Sequence, residues 1–136
     1  MSVFVDTSAW FAAADRADRS HEGAKAVLSA AEALVTTDHI LIETWTLLRH
    51  RIGRKPALLF WERLASVAVI ESVTSADLEV ARRIADAWSD QDFSIVDCTS
   101  FAVMQRLGIR RAASYDADFG IFRFGPGRRL AFDIVR

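Results

Sequence analysis

The apolar run Val3-Phe4-Val5 stops at Asp6, and the run from Ala112 to Tyr115 stops at Asp116. Both are too short for helices and are flanked by segments of helical spacing, so they read as buried strands. Leu34-Val35-Thr36, Val67 to Val73 and Leu130 to Val135 have the same character. Between them lie predicted helices. One is capped by Thr7 or Ser8 and runs through Ala14, and a second spans His21 to Ala33. A third runs from an Asp38 N-cap to about Arg51, with Gly53 just beyond. A fourth has Pro56 in its first turn and ends near Ala65. Another starts at Thr74 or Ser75 and reaches about Trp88, with Val80, Ile84 and Trp88 on one stripe. The last is opened by Ser94 and stopped by Gly108, and residues 120–129 read as a loop. Strands separated by helices predict an α/β fold, a central parallel sheet flanked by helices on both faces. At 136 residues the chain is expected to be one domain, spanning 1–136.

Composition removes several classes. Cys98 is the only cysteine, which excludes an intrachain disulfide scaffold and a cysteine-based zinc module. The longest apolar run, Ala9 to Ala14, cannot span a bilayer, and Asp6 interrupts the stretch where a signal peptide would need its apolar region. A cytoplasmic protein with no membrane partner is the expectation. A net charge of −1 gives no sign of a nucleic-acid partner. Only Lys25 and Lys55 of the basic residues are lysines, a bias that phosphate recognition and a GC-rich genome would both produce.

Four carboxylates stand where burial is costly. Asp6 and Asp116 each follow a hydrophobic strand, and ligand sites of open α/β sheets lie at the carboxyl ends of strands. Glu43 shares a helix face with Ile40 and Leu47, and Asp97 shares one with Phe101 and Met104. Each acid alone has a plain structural alternative. Asp6 could cap a helix, Asp97 could close a capping box with Ser94, Glu43 could pair with an arginine, and Asp116 could shape a turn. Together they form a cluster of like charges that needs a cation, and an all-oxygen ligand set favours magnesium or manganese over zinc.

Val3-Phe4-Val5-Asp6-Thr7-Ser8-Ala9, Ile42-Glu43, the run Phe93 to Phe101, and Ser114-Tyr115-Asp116-Ala117-Asp118-Phe119 occur in that order over nearly the whole chain. This ordered set resembles the motifs of PIN-domain ribonucleases, and at this length most of all those of VapC-type toxins of type II toxin–antitoxin pairs. The resemblance implies a metal-dependent endoribonuclease that leaves a 5′-phosphate and a 3′-hydroxyl. It also implies an RNA substrate, a cognate antitoxin and a homodimer. By that match Asp6, Glu43, Asp97 and Asp116 carry the Mg²⁺ or Mn²⁺ site and the catalysis. Thr7 matches a hydroxyl position that supports the first aspartate, and Asp118 is an accessory candidate.

Weaker signals surround these. Arg49, His50, Arg51, Arg54 and Lys55 form a basic cluster, of which Arg49, Arg51 and Arg54 are candidate substrate contacts. Arg106, Arg110, Arg111, Arg123, Arg128 and Arg129 could add to a phosphate track or simply be solvated. His39, four residues before Glu43, is a conceivable ligand that the oxygen-rich set argues against. The tryptophans suit a core or a partner interface better than base stacking. Two other functions compete with the nuclease. An aspartyl-phosphate enzyme using Asp6 would want an acid at position 8, which is Ser, and a late lysine, which the chain lacks. A non-catalytic PIN-like RNA-binding module would be expected to lack an acid.

Overall fold

The computed structural model describes residues 1–136. Five strands form one parallel sheet: β1 (Ser2–Val5), β2 (Ala33–Thr37), β3 (Val69–Glu71), β4 (Arg111–Ala113) and β7 (Asp133–Val135). Their order is β3-β2-β1-β4-β7. Seven α-helices flank the sheet: α1 (Thr7–Ala14), α2 (His21–Ala30), α3 (Asp38–Arg51), α4 (Arg54–Val67), α5 (Ser75–Ala87), α6 (Ile95–Leu107) and α7 (Asp118–Ile121). The α/β architecture is the one expected. The chain first builds outward from β1 through β2 to β3, then crosses back to place β4 on the other side of β1. That reversal makes a crevice at the carboxyl ends of β1 and β4, where open α/β sheets bind ligands. No helix is long and apolar enough to cross a membrane.

The core explains why these segments are fixed. Val3, Phe4 and Val5 are buried on both faces of the sheet, as a central parallel strand requires. Phe101 on α6 stacks on Phe122 with ring centroids 4.3 Å apart, and Phe93, Phe119 and Phe132 gather around it. This aromatic cluster anchors the end of the chain.

Several local expectations are revised. Asp6, not Thr7 or Ser8, occupies the N-cap of α1. The second helix stops at Ala30, because Ala33 already pairs in β2. Thr37, not Asp38, caps α3 by accepting from the Ile40 N–H, while Asp38 reaches across to the Val73 N–H. The third strand is only Val69–Glu71, and the fourth only Arg111–Ala113. On α5 the buried stripe is Asp77, Ala81 and Ile84, and Val80 faces solvent. The supposed loop 120–129 contains the end of α7, strand β5 (Arg123–Phe124) and a 3₁₀ turn at Pro126–Arg128. Strand β5 pairs with β6 (Leu130–Ala131), so the predicted last strand is two strands broken at Phe132. Gly125 makes this hairpin possible. Its φ is +74°, and a Cβ there would lie 2.8 Å from Leu130.

Arg106 is not part of a phosphate track. Its guanidinium donates to both carboxylate oxygens of Asp77 at 2.9 Å and to Glu71 at 3.0 Å, tying α6 to α5 and β3. Asp77 also closes a capping box with Thr74. Arg106→Leu would strand a buried carboxylate with only its cap partners. It is expected to destabilise the fold by about 2 kcal/mol, less than a wholly buried pair because the arginine is partly solvated. Urea titration of the variant measures this loss.

Candidate active site

Adjacent strands deliver the first elements of the site. β1 and β4 pair in parallel, with Val5 opposite Ala113. Asp6 therefore emerges beside Ser114, whose hydroxyl donates to Asp6 Oδ2 at 3.0 Å. The Ser8 hydroxyl donates to the same oxygen at 3.0 Å and accepts the Tyr115 N–H at 2.9 Å. Asp6 is 3% exposed. Burial pushes its carboxyl up to about 6 although the two serine hydroxyls favour the charged form, and the charge of Asp116 adds to the rise. Asp6 sits at the N-cap of α1 but its side chain makes no cap bond.

The next turn of chain places two more acids. Asp116 takes the N–H of Asp118 on Oδ1 at 3.0 Å, and its own N–H donates to Ser114 Oγ at 3.1 Å. This folds Asp118 back toward α6. At the start of α6, Ser94 and Asp97 form a capping box: Asp97 Oδ2 accepts the Ser94 N–H, and Ser94 Oγ accepts the Asp97 N–H. One oxygen from each of Asp97, Asp116 and Asp118 lies within 4.8 Å of the others. Burial drives the Asp97 carboxyl up to about 8, helped by Asp118 and by the charges of Asp6 and Asp116. Asp118 is raised as well, first by burial, with the Asp116 and Asp92 charges contributing. Asp97 and Asp118 titrate as an interacting pair, both raised above the usual aspartate range.

Asp97 and Asp116 join Asp118, a residue expected to be only accessory. Asp6 stays outside that close triad but within its electrostatic field. Glu43 is half-buried on α3, whose buried residues are Ile40, Leu41, Thr44 and Leu48. Thr7 favours the Asp6 carboxylate through its backbone N–H, while its hydroxyl donates to Glu43 Oε1 at 2.6 Å. The hydroxyls that do support Asp6 belong to Ser8 and Ser114. Their signal was present, a serine two residues after the acid and another ending the neighbouring strand. His39 is half-buried. Arg49, Arg51 and Arg54 are exposed and free of ion pairs, and Arg51 lies over the Phe11 ring at 5.6 Å. Arg110 and Arg128 cover the rings of Phe124 and Trp88 instead of facing the acids.

The donor chemistry suits a hard divalent cation. Asp6, Asp97 and Asp118 are raised by burial and by neighbouring acids, and neither they nor Asp116 has an arginine or lysine partner within 4.0 Å. Oxygen-only ligation of this kind fits a divalent metal site, and no histidine or cysteine completes it.

The family model of the PIN domain matches residues 3–124. The chain belongs to the PIN-domain family. Among curated relatives of this PIN domain, the 23S rRNA-specific endonuclease VapC20 of Mycobacterium tuberculosis is 40% identical over 130 residues, 90% of this chain and 95% of the relative. The ribonuclease VapC26 of the same species is 28% identical over 116 residues, 84% of this chain and 86% of that one. The crystal structure of M. tuberculosis VapC20, a sarcin–ricin loop cleaving toxin, superimposes with a TM-score of 0.81 at 38% identity, covering 85% of this chain and 91% of that one. The PIN domain described here is therefore of the VapC type.

Proposed function

We propose that this chain is a metal-dependent endoribonuclease, the toxin of a type II toxin–antitoxin pair, that hydrolyses RNA phosphodiesters with magnesium or manganese. The observation that carries this reading is the convergence of Asp97, Asp116 and Asp118 at the carboxyl end of the sheet, in a chain 40% identical to an rRNA endonuclease. The identity with VapC20 makes 23S rRNA the first substrate to try.

Asp97, Asp116 and Asp118 would hold the cation, with Asp6 beside them and Glu43 behind Thr7. A divalent ion bound there would neutralise phosphate charge and lower the pKa of an attacking water. The chain's own residues prepare that site. Ser8 and Ser114 fix the Asp6 carboxylate. The capping box fixes Asp97 Oδ2 and leaves its other oxygen for the site. The raised Asp97 carboxyl favours its protonated form in the metal-free state, and a bound cation would favour release of that proton. No protein nucleophile is needed.

Antitoxin control and a homodimer belong to the same reading. The α3–α4 hairpin supports them with an apolar surface bearing Ile52, Leu58, Leu59 and Trp61.

Purified protein incubated with 23S rRNA is expected to cut it with magnesium or manganese and to stop in EDTA. Full cleavage in EDTA would overturn the metal mechanism, and no cleavage with either metal would count against the nuclease.

A further inference from the structure

A groove of about 350 Å³ runs beside the acids, walled by α1, the turn after it, the end of α3 and Tyr115. That volume lies within the roughly 300–1,000 Å³ of small-ligand clefts. Ser8 is one wall, and the same Ser8 hydroxyl donates to Asp6. Whatever fills the groove therefore lies one side chain away from the acid site.

The lining is chemically distinctive. Arg19 and Arg51 both border the groove, both are exposed, and neither has a carboxylate within 4.0 Å. Phe11 lies beneath the Arg51 guanidinium, which holds that group flat along the wall. Tyr115 is the only tyrosine in the chain, and its hydroxyl makes no hydrogen bond within the protein. Asp18 also borders the groove, but its Oδ1 is taken by the Ser20 N–H at 2.8 Å. The turn that carries Arg19 is pinned at both ends. Asp15 accepts the Ala17 N–H at 3.0 Å, and a ring nitrogen of His21 bonds the Ala12 carbonyl at 2.8 Å. The groove is preformed, so little ordering cost falls on a ligand.

Two unpaired guanidiniums, an aromatic wall and one free phenol match a nucleotide: arginine takes phosphate through a planar fork, and the phenol can bond sugar or base. We propose that this groove seats the nucleotide adjoining the scissile phosphodiester of the RNA strand, with Arg19 and Arg51 on its phosphate and the Tyr115 hydroxyl on its sugar or base. This rests on the ribonuclease reading for the identity of the strand. The acids cut the backbone, and the groove sets which bond reaches them. An acidic peptide would also pair with two arginines, but it would leave the aromatic wall and the phenol unused.

The test is equilibrium binding of a fluorescein-labelled RNA hairpin in EDTA, where the RNA is not cut, across a range of KCl concentrations. Variants are Arg19→Ala, Arg51→Ala, the double variant, Arg51→Lys and Tyr115→Phe. Arg83→Ala, an exposed charge deletion on α5 outside the groove, is the control. The double variant should bind at least about tenfold more weakly than the control. Its log–log salt slope should be shallower by about 0.7, the value for one phosphate of a single strand. Arg51→Lys should restore the slope, since a lysine still neutralises a phosphate. Tyr115→Phe should weaken binding with the slope unchanged. Melting temperatures should match wild type, because both arginines are exposed. Affinity and slope of the double variant equal to those of the control, or no RNA binding by wild type, overturns the proposal. So does arginine-dependent binding of poly-glutamate without binding of RNA. A wild type that binds RNA through these arginines but cuts none with manganese would remove the nuclease reading and leave the groove standing.

Discussion

Asp97→Asn is expected to lower RNA cleavage by at least about a hundredfold, since even the partners of metal ligands cost 10–100-fold when lost. The same change should make the metal-free protein more stable. Asp97 is buried and faces Asp118, with Asp6 and Asp116 adding repulsion, so its ionised form is strained. Asparagine keeps the shape, can still accept the Ser94 N–H in the capping box, and can donate its amide to the neighbouring acids. A gain of about 1 kcal/mol, or roughly 4 °C in melting temperature, is in the range of relieved functional strain. Added magnesium should raise the melting temperature of wild type more than that of the variant. Asp97→Ala separates the two roles, because it also removes the cap and should give back about 1 kcal/mol. An Asp97→Asn protein that cuts RNA at the wild-type rate would leave Asp97 as a capping residue only.

The metal-free protein should lose stability steadily from about pH 4 toward pH 8. Asp6 titrates at about 6 and Asp97 at about 8 in the fold, and Asp118 is also raised. In the unfolded chain aspartate titrates near 3.9. Below that pH these carboxyls are protonated in both states and cost nothing. As the pH climbs, the unfolded chain gives up its protons first, and the folded state loses ground until its own groups have ionised. For Asp6 alone the two-unit rise corresponds to at most about 3 kcal/mol. Asp77 works in the opposite sense. Arg106 holds its carboxyl low, so its contribution is present at neutral pH and lost in strong acid. Magnesium should flatten the alkaline fall, because a bound cation favours the ionised acids. Calorimetry at pH 5, 6.5 and 8, in EDTA and in magnesium, measures both effects. A melting temperature in EDTA that stays level from pH 5 to 8 would contradict the crowding of these carboxyls.

Much of this was legible in the residues. Runs such as Val3-Phe4-Val5 announce central parallel strands, because only strands buried on both faces are apolar throughout. The acids at strand ends followed from the topology of such sheets. The ordering Ser94…Asp97 announced a capping box, and the structure has that box with a second duty added on the other oxygen. What spacing could not supply was direction. Glu43 shares a helical stripe with Ile40, and no spacing rule reveals that its carboxylate takes the Thr7 hydroxyl. Asp118 gained its place from a backbone turn at Asp116, and a turn is set by local hydrogen bonds that carry no periodic signal. Residues 120–129 looked like loop because β5 and β6 are each two residues long, too short for alternation to register.

The β1–β4 pairing also dictates when the site can exist. Asp6 leaves the ribosome first, but the hydroxyl that steadies it belongs to Ser114, 108 positions later, and the acids at 116 and 118 follow. β1 cannot gain this neighbour until most of the chain has been translated, and such distant pairing forms late in folding. A half-made polypeptide therefore carries no cutting centre. If RNA is the substrate, a chain translated only part of the way to residue 118 is harmless to the ribosome that makes it.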